Sequence, residues 1–266
     1  TNLDINTPTN RIITSMCSKE RFLFILKYGI AFVNMQKEDA YGNLEIRKEK
    51  HIIRYQQLFA ALAVIDKLSD GVKSGVIWHT QGSGKTALSY YLTYVLTDYY
   101  ARQNKVAKFY FIVDRIDLLK QASEEFAARG LKVKTANSRA ELMSQFRDVQ
   151  ASEGYDGSDE IVVVNIQRFA EDHSKVVIPP YATNLQRVFI IDEAHRGYNP
   201  KGSFLANLFD ADRNAIKIAL TGTPLLKQER ESWKVFGNYI HTYYYDKSIQ
   251  DGYTLKIIRE DIETMY

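Results

Sequence analysis

The run His79-Thr80-Gln81-Gly82-Ser83-Gly84-Lys85-Thr86 constrains this chain more than any other feature. It follows a short apolar segment, Gly75–His79, and opens a helical pattern, Lys85–Arg102. Gly82 and Gly84 let the backbone curl close to a polyphosphate, whose charge the first turn of a helix favours. Lys85 then supplies a point charge for the β- and γ-phosphates, and the Thr86 hydroxyl can ligate Mg²⁺. The bland alternative, a glycine-rich turn before an ordinary helix, explains neither the lysine nor the hydroxyl that follows it.

The surrounding pattern agrees. Apolar runs at Gly75–His79, Phe109–Asp114, Ile161–Asn165, Val188–Asp192 and Ile216–Thr221 alternate with helical patterns at Lys85–Arg102, Ile116–Arg129 and Ser138–Gln150. Strands that are apolar along their whole length are buried on both faces. Joined by helices, they predict an α/β fold with a mainly parallel sheet flanked by helices. Such sheets bind ligands at the carboxyl ends of their strands. Ahead of this region a helix is expected around Ser18–Asn34, then a charged connector, Lys37–Lys50, then an amphipathic helix, Ile52–Leu68.

Composition excludes several classes. Of 266 residues, 45% are hydrophobic and 25% charged, which rules out whole-chain disorder. No apolar stretch approaches the ~18 residues of a membrane span. The single cysteine, Cys17, permits neither an internal disulfide nor a cysteine zinc site, so a cytoplasmic location is expected. Between Ala101 and Asp148 ten Lys/Arg face six Asp/Glu, a bias that a solvated face would also produce.

Two further motifs end predicted strands. Val188–Ile191 runs into Asp192-Glu193-Ala194-His195. Asp192 is placed to hold Mg²⁺, and Glu193 to orient and deprotonate an attacking water. Alone, such a pair is more often a solvated loop start, and a lone histidine such as His195 is usually structural. Ala219-Leu220-Thr221-Gly222-Thr223-Pro224 ends another strand in a tight turn, where Thr221 and Thr223 could sense a γ-phosphate or the acidic pair.

In this order, the three elements resemble motifs I, II and III of superfamily 2 helicases and translocases. More narrowly, the chain resembles the first motor lobe of the restriction (R) subunit of type I restriction-modification enzymes. The resemblance rests on Trp78–Thr86, with His79 where other groups carry Ala or Gly; on Phe111–Leu118 with Gln121; on the DEAH tetrad Asp192–His195 with Arg196; and on Phe236–Tyr243 followed by Asp251-Gly252. Gly197-Tyr198 and Asn165-Ile166-Gln167 depart from the usual pattern.

The resemblance implies a RecA-like P-loop NTPase lobe over residues 51–245, an N-terminal helical connector over 1–50, and an exit segment, 246–266, toward a second lobe. It implies an ATP-dependent site-specific deoxyribonuclease subunit that uses ATP and Mg²⁺ to translocate double-stranded DNA, partnered by methyltransferase and specificity subunits. By motif, Lys85, Asp192 and Glu193 would be catalytic, and Thr86 and Asp192 would hold Mg²⁺. Arg54, Gln57, Gln81, Gly82, Ser83, Gly84, Lys85 and Thr86 would bind the nucleotide, with Gln57 at the adenine edge. His195, Thr221 and Thr223 would couple hydrolysis to motion. Arg115, Gln121, Asn165 and Gln167 would touch a DNA backbone, giving a sequence-independent grip.

No Glu-x-Lys element of the kind such nuclease modules carry occurs here, and the motifs of a second lobe are not found. With Thr1 in place of a starting Met, this predicts an excised piece. Two other readings stay open: another superfamily 2 helicase acting on DNA or RNA, and a non-catalytic nucleotide-binding scaffold.

Overall fold

The computed structural model describes residues 13–38, 41–147, 160–169, 184–193, 204–223 and 236–255. The chain opens with α1 (Lys19–Tyr28) and the strands β1 (Ile30–Glu38) and β2 (Leu44–Ile52). Helix α2 (Tyr55–Ser69), β3 (Ser74–His79), α3 (Lys85–Ala101), β4 (Val106–Val113), α4 (Ile116–Ala128), β5 (Lys132–Ala136) and α5 (Arg139–Arg147) follow. Next come β6 (Glu160–Asn165), β7 (Leu185–Ile191), α6 (Phe204–Ala211), β8 (Ile216–Thr221), β9 (Tyr239–Tyr243) and α7 (Tyr245–Gln250).

Seven strands form one parallel sheet in the order β5-β6-β4-β7-β8-β3-β9. Every residue of β7 is buried, as a central parallel strand covered on both faces requires. One face packs Leu58, Leu88, Leu92 and Phe126 of α2 to α4 against Ile77, Phe111 and Ile190. The other packs Phe146, Phe204 and Leu208 against Tyr110, Val164 and Phe189. The α/β fold with a mainly parallel sheet is therefore present as expected, and all the motif-bearing strand ends lie along one edge. Among the described residues no helix is long and apolar enough to cross a membrane.

The N-terminal region corrects the expectation of a purely helical connector. The helix expected over Ser18–Asn34 stops at Tyr28, and Ile30–Glu38 pairs antiparallel with Leu44–Ile52. The reason is period: Ala31 and Val33 are buried while Phe32 and Asn34 are exposed, an alternation of two. In β2 the Lys/Glu alternation is the edge of a hairpin, with Glu49 pairing Lys37 across the strands at 2.5 Å. Asp98 of α3 fastens this unit to the sheet domain by accepting from Tyr28 Oη and pairing with Lys27.

Within β7, Arg187 is completely buried and pairs with Asp212 at 3.0 Å, its guanidinium 5.5 Å from the Phe146 ring centre. Asp212 also accepts from the Ala215 N–H at 3.1 Å. Removing one partner leaves a buried charge uncompensated, which costs about 3–5 kcal/mol. Asp212→Ala is therefore expected to destabilise the domain by that amount in urea unfolding. A loss under ~1 kcal/mol, the range of an exposed pair, would contradict this reading.

Candidate functional site

The loop after β3 is shaped from behind by α2. Arg54 Nη1 donates to the carbonyl of Gly82 at 3.3 Å, Gln56 Nε2 to that of Ser83 at 3.4 Å, and Gln57 Nε2 to that of Gly84 at 2.9 Å. Three successive carbonyls are thus held by α2 and its N-cap residue Arg54 rather than presented to an anion. Gly84 sits at φ +83°, and a Cβ there would lie 2.5 Å from Gln57 Nε2. Only glycine satisfies both the backbone and the close approach.

Gln57 Oε1 accepts from the Arg54 N–H at 2.9 Å, so each end of its amide makes one bond within the chain. Among the described residues one amide N–H and one oxygen lone pair remain, the donor and acceptor that an adenine edge would require. Gln56, fully buried, was not singled out from sequence, although it stands in the same Arg54–Gln57 run.

Lys85 and Thr86 begin α3, where the helix dipole favours anions. Lys85 Nζ lies 3.7 Å from Glu193 Oε1. Glu193 holds a left-handed backbone at φ +48°, uncommon for a non-glycine residue and concentrated at functional sites. The turn after β8 closes over this pair: a Cβ on Gly222 would be 3.3 Å from Lys85 Nζ and 3.7 Å from Glu193 Oε1. Thr221 Oγ1 donates to the Thr223 carbonyl at 3.0 Å, so Thr221 shapes the turn while Thr223 lines the cleft.

Asp192 is anchored by its N–H to the Ile112 carbonyl at 2.9 Å. Burial pushes its carboxyl up to about 6, against the pull of Lys85 and with a further push from Glu193. Its Oδ1 is buried without a hydrogen-bond partner among the described residues, as are Ser83 Oγ and Asp114 Oδ1. Those orphaned oxygens fit a cation with its shell of water and phosphate. Mg²⁺ in nucleotide sites takes only one or two protein oxygens and no dedicated cage. The Thr86 hydroxyl and the Asp192 carboxylate would make such a set, and no cluster of three ligating side chains occurs among the described residues.

A cleft of about 180 Å³ is lined by Gln81, Asp114, Arg115, Asp192, Glu193, Thr223 and Tyr245. Asp114 and Tyr245 were not named from sequence as site residues. Arg115 shares this lining with Asp192 and Glu193 and pairs with Asp117 at 3.9 Å. Gln121 on α4 and Gln167 are exposed. Asn165, expected at a DNA backbone, is instead 2% exposed, and its Oδ1 accepts from the Gln167 N–H at 3.0 Å. A short amide at a strand end closes an Asx-type turn, so Asn165 presents Gln167 rather than reaching outward. His195 lies outside the described residues.

The segment after β9 wraps the start of α2. Asp251 accepts from Tyr55 Oη and from Tyr243 Oη, and the Arg54 guanidinium stands 4.6 Å from the Tyr253 ring centre.

Residues 56–264 match the SWI2/SNF2 ATPase family. The chain is 32% identical over 221 residues to the type I restriction enzyme SauCOLORF180P endonuclease subunit of Staphylococcus aureus, covering 80% of this chain and 22% of that one. To the HindI endonuclease subunit of Haemophilus influenzae it is 27% identical, covering 94% and 24%. The chain thus spans about a quarter or less of these relatives. Among solved structures, the DNA-bound Type ISP restriction-modification enzyme LlaBIII shares the fold at TM-score 0.55 and 14% identity, over 80% of this chain and 16% of that one. A nuclease-deletion mutant of LlaGI, in complex with a DNA substrate mimic, does so at TM-score 0.54 and 14% identity, over 76% and 20%. The strand order, the phosphate loop and the acidic strand end agree with what residues 56–264 match: the chain belongs to the SWI2/SNF2 ATPase family.

Proposed function

We propose that this chain is the first motor lobe of a type I restriction R subunit, coupling ATP hydrolysis to translocation of double-stranded DNA before cleavage. The observation that carries the reading is the approach of Lys85 Nζ to Glu193 Oε1 at 3.7 Å across the phosphate loop. A scaffold that had lost its activity would have no reason to keep Lys85, Thr86, Asp192 and Glu193 together. The relatives named as type I endonuclease subunits support this system over another superfamily 2 helicase.

The resting ion pair gives way when ATP enters. Lys85 turns to the β/γ-phosphates, and Glu193, released, holds the attacking water and accepts its proton. Thr86 and Asp192 would hold Mg²⁺, which when bound would supply positive charge against the phosphates. Gln57 meets the adenine edge with its remaining donor and acceptor, and Arg54, Gln81, Gly82, Ser83 and Gly84 complete the nucleotide cradle. Thr223 and His195 link the γ-phosphate to motion, with Thr221 fixing the turn. Arg115, Gln121 and Gln167 contact the DNA backbone, Asn165 acting through Gln167. Residues 51–245 form the motor lobe, 1–50 the connector with its hairpin, and 246–266 the exit to a second lobe. The subunit acts in the cytoplasm with methyltransferase and specificity subunits.

In this superfamily the second lobe supplies an arginine finger, a contribution of roughly 10³–10⁵ in rate. The isolated chain is therefore expected to bind ATP–Mg²⁺ weakly and to hydrolyse it barely, with or without DNA. Equilibrium nucleotide binding and a steady-state phosphate-release assay check this. Robust DNA-stimulated hydrolysis by the isolated chain would overturn the two-lobe account.

A further inference from the structure

His79 occupies the first position of the phosphate loop and is completely buried. Its Nε2 lies 2.8 Å from Nδ1 of His241, on the edge strand β9. The pairing of β3 with β9 is irregular at this point: Val76 faces Tyr239, but Ile77 faces His241. The register shift leaves Ile240 packed over Gly75, whose missing side chain makes the room, with a hypothetical Cβ 2.6 Å from Ile240 Cδ1. Bulges of this kind re-aim side chains beside functional sites. Here the shift sets His241 diagonally across from His79, their ring centres 5.0 Å apart. One residue further on, the Thr80 N–H donates to the Tyr243 carbonyl at 3.1 Å.

Two imidazole nitrogens at this distance need one donor and one acceptor. Burial, reinforced by His241 and Lys85, pushes His79 down to about 3, and burial and Lys247 lower His241 as well. Burial thus disfavours the charged form of both rings, and one ring's N–H can donate to the other's bare nitrogen. A buried imidazole without this partner would carry a desolvation cost that glycine at the same place would not. The contact therefore joins the loop's first side chain to a strand 162 residues away in sequence.

We propose that His241 is a positioning residue for ATP binding: through its hydrogen bond to His79 it holds the start of the phosphate loop against the edge strand. The proposal rests on the ATPase reading above and adds a residue that lies outside the loop, the acidic pair and the cleft.

The test is ATP hydrolysis by the full R subunit in its assembled complex, over a range of ATP concentrations. His241→Leu leaves a buried imidazole unpaired and is expected to raise KM for ATP about tenfold, with kcat within about threefold. His241→Asn, which keeps a short hydrogen-bonding group, is expected to recover most of the loss. In a His79→Gly background, His241→Leu is expected to have no further effect, because the imidazole contact through which the side chain acts is gone. A generally structural role predicts otherwise: H241L would raise KM equally in the H79G background, or H241N would fail as H241L does, and either result overturns the proposal. A fall in kcat at unchanged KM would also overturn it. Lys85→Ala serves as the separating arm. If K85A still hydrolyses ATP, the ATPase reading itself fails; if K85A is inactive and the histidine effects are additive, only the positioning role falls.

Discussion

Replacing Lys85 with alanine in the full R subunit is expected to abolish translocation and distant cleavage while complex assembly is unchanged. The side chain is 9% exposed at the start of α3, between the phosphate loop and Glu193. It is the only cation within 4 Å of Glu193 among the described residues. Preorganised charge aimed at a developing negative centre is worth roughly 10²–10³ in rate per donor, and more in a water-poor cleft. ATP hydrolysis should fall by at least that factor. Size-exclusion of the reconstituted complex should show no change, because the Lys85 side chain is only 9% exposed and faces Glu193. A K85A enzyme that still cleaves at sites distant from recognition would refute the assignment.

Glu193→Gln is expected to separate binding from chemistry. Glutamine keeps the shape and one acceptor oxygen but cannot take a proton from water. General-base catalysis contributes roughly 10²–10⁴, so kcat should drop within that range while ATP affinity stays close to wild type. The loss of charge also frees Lys85 from its 3.7 Å partner, so ATP affinity should rise rather than fall if it moves at all. Pre-steady-state phosphate release and nucleotide binding measured on the same preparation check both halves. A weakened affinity with unchanged kcat would place Glu193 in binding and remove it from the role of base.

How much of this was legible depends on how local each signal is. The phosphate loop, the acidic strand end and the Thr221–Thr223 turn are short segments whose chemistry and conformation sit in the same few residues. The fully apolar run Val188–Ile191 also announced a central strand, and β7 extends only three residues further back, to Leu185. Where residues face both core and solvent, the reading weakened. Lys132–Ala136 carries two lysines and joins the sheet only as its edge, paired to β6 alone. The N-terminal hairpin has charged residues along an exposed strand, so its cross-strand partners, not its composition, set its form. Asn165 looked like an outward contact because its type is polar, whereas its burial follows from the Gln167 N–H it satisfies. The His79–His241 contact lay furthest from reach, since a register shift between β3 and β9 creates it and no local pattern encodes that shift.

The central claim, that this lobe converts ATP hydrolysis into movement along duplex DNA, is tested most directly by displacement of a triplex-forming strand. The complex is assembled on linear DNA carrying one recognition site, with a third strand bound downstream. The account predicts displacement that requires ATP and Mg²⁺, with a delay that lengthens in proportion to the spacing between site and triplex, and none with E193Q. ATP hydrolysis at wild-type rates with no displacement at any spacing would contradict it.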